Sequence, residues 1–152
     1  MRAPTVELPP GQLIVSATPC TVGSVLGAGV SVGLWDRVRR IGGLNHFLLP
    51  GGGTDDSARH GTAAIELLVA GVLSLGAVAK DLRAHVIGGA ALGAEIGGAD
   101  LGELNVDFAV GWLESAGLEL GAFDVGGSSA RRISFCLGTG RMRCDRMDGY
   151  FP

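Results

Sequence analysis

Apolar and polar positions alternate from Val30 to Trp35, with Val30, Val32 and Leu34 on one side and Ser31, Gly33 and Trp35 on the other. That period of two predicts a β-strand with distinct faces. The polar stretch Asp36 to Arg40 reads as a turn. Ile41 to Leu49 reads as the returning strand, closed by Pro50 and the run Gly51 to Gly53. Upstream, Leu13 to Ala17 fits a short strand stopped by Pro19, and Ser24 to Leu26 fits another. Asp55, Asp56 and Ser57 are helix-capping residues, which predicts a helix from about Ala58 to Leu75 ending at Gly76. Arg83 to Ile87 reads as a strand running into Gly88 and Gly89. A second helix, capped by Asn105 or its neighbour, turns Phe108, Trp112 and Leu113 inward and ends at Gly117. Three strands follow: Leu118 to Val125, Arg131 to Leu137 and Arg141 to Met147. Gly138-Thr139-Gly140 is a natural hairpin turn between the last two.

The pattern is a strand-rich α/β chain with two helices. Short loops between strands favour antiparallel pairing over a doubly wound parallel sheet. Thr62 to Ala79 is nearly all apolar and raises the question of a membrane span. Glu66 inside it, with Gly71 and Gly76, makes a buried core helix the better reading, so no membrane insertion is expected.

Composition narrows the function classes. The chain has 152 residues, the size of one domain, and is 47% hydrophobic and 18% charged. A single domain over 1–152, with its core at about 13–147, is expected. The net charge is -3 and no basic stripe appears, so nucleic acid is not an expected partner. Cys20, Cys136 and Cys144 are an odd number without framework spacing, and no amino-terminal signal is evident. Free thiols and a cytoplasmic location are expected.

Several candidate motifs resolve into structural roles. Gly27-Ala28-Gly29 with Gly33 resembles a phosphate loop superficially, but the residues that follow alternate as a strand and supply no helix terminus. Gly51 to Gly53 lacks the Lys-Ser/Thr of a nucleotide loop. Asp55 and Asp56 have no histidine or carboxylate at ligand spacing, so capping explains them and no metal or cofactor is expected. His60 and His85 read as helix-face or strand histidines. His46 differs, because the hairpin places it. If Trp35 lies opposite Ile41, position 29 faces position 47 within one residue, which makes Gly29 and His46 cross-strand neighbours.

The same segments carry a family resemblance. Ser24-Val25-Leu26-Gly27-Ala28-Gly29-Val30 is similar to the segment Thr-(Val/Leu)-Leu-Gly-Ser-Cys-Val of the chemoreceptor glutamine deamidases, the CheD family. Ile41-Gly42-Gly43-Leu44-Asn45-His46-Phe47-Leu48-Leu49-Pro50 resembles that family's Ile-Gly-Gly-Met-Asn-His-Phe-Met-Leu-Pro. Arg59-His60-Gly61, Ile87-Gly88-Gly89-Ala90 and Leu101-Gly102-Glu103-Leu104-Asn105 resemble further family elements. So do Asp124-Val125-Gly126-Gly127, Arg131-Arg132 and Thr139-Gly140, in order from about Leu13 to Met147.

The resemblance implies an α/β sandwich of two mostly antiparallel or mixed β layers flanked by helices. It implies hydrolysis of glutamine side chains on chemotaxis receptors, giving glutamate and ammonia. The implied partners are the cytoplasmic helices of those receptors and a CheC-type phosphatase. The family's catalytic set is a cysteine, a histidine and a hydroxyl residue. A thiolate attacks the amide to form a thioester, and histidine activates the thiol and protonates ammonia. The hydroxyl orients the histidine, and backbone amides hold the oxyanion. The histidine carries over to His46 and the hydroxyl to Ser24. The cysteine carries over to Gly29, which has no side chain, and Ala28 replaces the neighbouring serine. The expectation is a deamidase by descent with weak or absent catalysis. The alternative is a non-catalytic adaptor that binds receptors or a CheC-type phosphatase.

Overall fold

A computed structural model describes residues 4–53 and 56–148. In chain order, the strands β1 (Thr5–Glu7), β2 (Leu13–Ser16), β3 (Thr21–Leu26), β4 (Val30–Asp36) and β5 (Ile41–Asn45) precede helix α1 (Gly61–Ser74). A 3₁₀ turn, Ala79–Asp81, leads to β6 (Leu82–Gly88) and the small hairpin β7 (Glu95–Ile96) and β8 (Ala99–Asp100). Helix α2 (Leu101–Ser115) and strands β9 (Glu119–Val125), β10 (Arg131–Cys136) and β11 (Met142–Arg146) complete the chain.

Two larger sheets form, in the orders β1-β3-β10-β11 and β2-β5-β4-β6-β9. Alternation along β4 explains the layering. Val30, Val32 and Leu34 pack with Ile65, Leu68 and Val72 of α1 and with Ala109 and Leu113 of α2, so the helices cover one face of the five-stranded sheet. The other face meets the four-stranded sheet through Leu44 and Ile87 against Val22, Leu26, Ile133 and Phe135. The expected sandwich of two sheets flanked by helices is what forms.

The pairing is mixed rather than purely antiparallel. β6 and β9 run parallel, because α2 carries the chain back across the sheet between them, and β1 runs parallel to β3. Boundaries also shift. α1 begins at Gly61, with His60 as its N-cap and no side-chain cap bond. Asp55 lies outside the described residues, and Asp56 and Ser57 precede the helix. The chain there is pinned instead by the Leu49–His60 bridge and the Gly61 N–H to Leu49 carbonyl bond. α2 begins at Leu101. Its cap is Asp100, whose carboxylate accepts from the Glu103 N–H at 2.9 Å, so Asn105 lies inside the helix.

His85 is a strand histidine, as expected, and its partner is now visible. A bulge in the β6–β9 pairing places an extra residue opposite it, and the Ala122 N–H donates to its Nδ1 at 2.8 Å. Among the described residues, no helix is long and apolar enough to cross a membrane.

Candidate active site

The β4–β5 hairpin sets the site. Asp36 lies opposite Ile41 and Gly33 opposite Leu44, one residue on from the expected pairing of Trp35 with Ile41. The shift has a local cause. Asp36 accepts from the Val38 and Arg39 N–H groups, both at 2.9 Å, and so begins the turn while still paired. The consequence is large, because a one-residue slip exchanges the faces of a strand. Phe47 pairs with Val30 and enters the core under the helices. His46 therefore points the other way, into the space between the sheets, on the same face as position 29.

Ser24, on β3 of the opposite sheet, meets it there. Its Oγ lies 3.0 Å from His46 Nδ1 and donates to the Leu8 carbonyl at 2.9 Å. The hydroxyl has a single hydrogen, directed at Leu8, so Nδ1–H donates to Oγ and Nε2 carries the lone pair. Both residues are buried, at 1% and 2% exposure.

Gly29 completes the trio. A Cβ built on it would lie 2.8 Å from His46 Nε2 and 2.8 Å from the Phe47 carbonyl oxygen. Imidazole and backbone have closed in on the volume a side chain would need. Gly29 has no positive φ, so space rather than backbone conformation limits what this position accepts.

The turn from Gly27 to Gly29 is fixed from behind. The Gly27, Ala28 and Gly29 carbonyls accept from Ala90 N–H (3.0 Å), Asn105 Nδ2 (3.0 Å) and Gly89 N–H (2.9 Å). Close approach requires glycine at position 88, where a Cβ would stand 2.5 Å from the Gly29 carbonyl oxygen. Asn105 Nδ2 also reaches the Leu48 carbonyl at 3.1 Å, tying the turn to the segment after His46. The capping role that the sequence suggests for Asn105 or its neighbour does not include this tie. The available signal was its place in the Leu101-Gly102-Glu103-Leu104-Asn105 segment.

Gly27, Ala28, Gly29 and His46 line a cavity of about 370 Å³. Pro10, Val25, Leu48, Leu49 and Leu101 make its walls apolar, and Arg59 stands at the rim. A larger groove along α2, about 590 Å³, is lined by Asp107, Phe108 and Trp112 among others and contains no histidine or thiol.

The three cysteines are free thiols, and none bonds to His46. Burial pushes the Cys20 thiol up, and burial beside Asp124 pushes the Cys144 thiol up to about 11. The Thr139 hydroxyl holds the Cys136 thiol below its ordinary value, but Cys136 belongs to the β10–β11 hairpin. No group of three His, Cys, Asp or Glu side chains among the described residues could hold a metal.

A sequence model of the CheD family, described as CheD chemotactic sensory transduction, matches residues 48–146. The chain belongs to the CheD family. The match begins after Ser24, Gly29 and His46. Relatives extend the likeness over most of the chain. A protein of Rhodospirillum rubrum named "Probable chemoreceptor glutamine deamidase CheD" is 41% identical over 143 residues, 91% of this chain and 80% of its own. One from Anaeromyxobacter dehalogenans, with the name ending "CheD 1", is 42% identical over 137 residues, covering 89% and 80%. One from Burkholderia thailandensis, ending "CheD 2", is 34% identical over 147 residues, covering 93% and 75%.

Burial pushes His46 down from 6.5 to about 4, so its imidazole is neutral at physiological pH. Above pH 6.5 both folded and unfolded states hold it neutral. Between 6.5 and about 4 the unfolded chain binds the proton first, so stability falls as pH falls. The full loss is roughly 3 kcal/mol at 1.36 kcal/mol per pH unit, reached below pH 4. His85, also lowered by burial, acts in the same direction. Urea midpoints measured from pH 7 to 4 are expected to drop steadily, with a shallower drop in His46→Phe. A flat profile would mean that His46 is not held neutral by burial.

Proposed function

We propose that the chain is a chemoreceptor-binding member of the CheD family that does not itself hydrolyse glutamine. The observation that carries this reading is Gly29, with His46 Nε2 and the Phe47 carbonyl each 2.8 Å from where its Cβ would be. In the proposed assignment His46 is the family's base, Ser24 the hydroxyl that orients it, and Gly29 the nucleophile's place. Without a thiolate the covalent step has no attacking atom, and a neutral imidazole is too weak to replace it. What remains is an apolar cavity with a fixed acceptor. The names of the relatives supply the partner, a chemoreceptor.

The receptor would dock over the cavity mouth, where the apolar side chains Val25 and Leu92 stand 44% and 47% exposed. A CheC-type phosphatase is the second partner we propose. Capture of a receptor cytoplasmic fragment by the immobilised chain tests the reading. Leu92→Asp is expected to weaken binding at least tenfold while leaving the melting temperature nearly unchanged, because the side chain is on the surface. Undiminished binding by Leu92→Asp would move the docking face elsewhere.

A further inference from the structure

The end of the sandwich away from Gly29 holds a second cavity, of about 340 Å³. Strand periodicity builds it. Trp35 pairs with Arg83 and Gly33 with His85, so these positions share the face of the five-stranded sheet that meets the other sheet. Arg37 follows two residues after Trp35 and lines the same cavity. Thr139 and Gly140, in the β10–β11 turn, close it from the four-stranded sheet. Trp35 supplies an apolar wall, fixed by its Nε1–H donating to the Leu137 carbonyl at 3.2 Å. The cavity and Gly29 stand at opposite ends of β4, which at about 3.3 Å per residue separates them by roughly 20 Å.

This cavity is cationic in a chain whose net charge is -3. Arg37 and Arg83 bring two guanidinium groups to it, and among the described residues no carboxylate lines it. Arg37 has no ion-pair partner among the described residues. Asp36 and Asp81, beside that turn, are held by Arg39 at 3.2 and 2.8 Å. Glu119 reaches Arg83 at 3.7 Å, but the two side chains are 47% and 57% exposed, and such a pair yields readily to a better anion. The His85 Nδ1 accepts from the Ala122 N–H, so it offers a ligand no lone pair. What faces the cavity is a set of donors with an indole beside them.

Two guanidinium groups match a ligand with two negative charges and several acceptor oxygens. Diagonal positions on neighbouring strands stand about 7–8 Å apart, a span that two arginine side chains close around one anion. We propose that this cavity binds a phosphate group, either inorganic phosphate or a phosphate ester whose organic part lies against Trp35. A carboxylate brings one charge and two oxygens, so it is held less well between two arginines. The site does not depend on the receptor-binding reading above. Its occupancy has an internal reporter in His85. Burial pushes that imidazole down, the Gly140 carbonyl opposes this, and the neighbouring Arg83 charge adds to the downward push. A phosphate on Arg83 offsets that charge, so the His85 pKa rises on binding.

NMR titration of the unmodified chain with inorganic phosphate and with phenyl phosphate, at constant pH and ionic strength, tests the site. Saturable shifts are expected at the Trp35 Nε1–H and at the Thr139 and Gly140 amides, with the His85 titration moved upward. Arg37→Ala and Arg83→Ala are each expected to weaken binding roughly tenfold. Both side chains are exposed, so the melting temperature should hardly change. Glu119→Gln should tighten binding by releasing Arg83. Tighter binding of phenyl phosphate would assign a phosphate ester with its ring on Trp35, and equal binding would assign the phosphate group alone. Absence of saturable shifts with both probes would overturn the proposal. Acetate producing the same shifts as phosphate would overturn it too, since general attraction of anions would then explain them. Undiminished binding in the double variant Arg37→Ala, Arg83→Ala would show that the cavity is not the site.

Discussion

On the proposed reading, Gly29→Cys is expected to give a slow deamidase where the unmodified chain shows no glutamine hydrolysis. Loss of the nucleophile in a protease triad costs on the order of a million-fold, so even partial recovery should exceed background by roughly a thousand-fold. The remaining parts are in place. Ser24 holds Nδ1 at 3.0 Å, Nε2 faces position 29, and the turn carbonyls are tied back. The φ of Gly29 is not positive, so cysteine meets no strain of that kind. Recovery is limited by the 2.8 Å approach of the Phe47 carbonyl to the new Cβ. The imidazole can swing aside, but the backbone must yield by tenths of an ångström. The same substitution is therefore expected to lower the melting temperature by several degrees. A thiolate at position 29 would also draw the His46 pKa back upward. Ammonia release with a receptor fragment, and its loss in the double variant with His46→Ala, checks the prediction. A folded Gly29→Cys protein with no activity would show that the site lacks more than its thiol.

Arg131→Ala is expected to cost about 1.5–3 kcal/mol, the range for hydrogen bonds to a charged group, because the Asp124 carboxylate left behind is 39% exposed and regains water. Arg131 is 1% exposed and belongs to β10 of the four-stranded sheet. Its Nε and Nη2 both reach Asp124 Oδ1 at 3.2 Å, and its Nη1 reaches the Gly88 carbonyl at 3.4 Å. Asp124 and Gly88 lie on β9 and β6, so one guanidinium clasps the two sheets together. Gly88 also receives the Gly29 carbonyl region, so loosening the clasp disturbs the turn that walls the pocket. Chemical denaturation should show the loss, and Arg131→Lys should recover only part of it because a point charge cannot repeat the fork. A loss under 1 kcal/mol would mean that apolar packing alone joins the sheets.

The site was legible where local rules and family motifs agree. The alternation of Val30 to Trp35 brought Gly29 beside His46, and the Ser24 and His46 segments identified their partners. The register was not, because it depends on Asp36 capping its own turn while Arg40 adopts a φ of 58°. Such a turn closes one residue sooner than the polar run suggests. The start of α2 does have a local signature, since Asp100 followed by Glu103 is a capping pattern. The start of α1 was not, since it is held by bonds to Leu49 rather than by a capping side chain. Parallel pairing of β6 with β9 follows from the α2 crossover, which outweighs the short loops elsewhere. The bulge that satisfies His85 is a tertiary feature with no local signature.

Mass spectrometry of a receptor cytoplasmic fragment incubated with the unmodified chain tests the central claim most directly. The prediction is a fragment that binds and is recovered with every glutamine intact after an incubation in which an active deamidase would convert them. Conversion of particular glutamines to glutamate at enzymatic rates by the chain carrying Gly29 would contradict it.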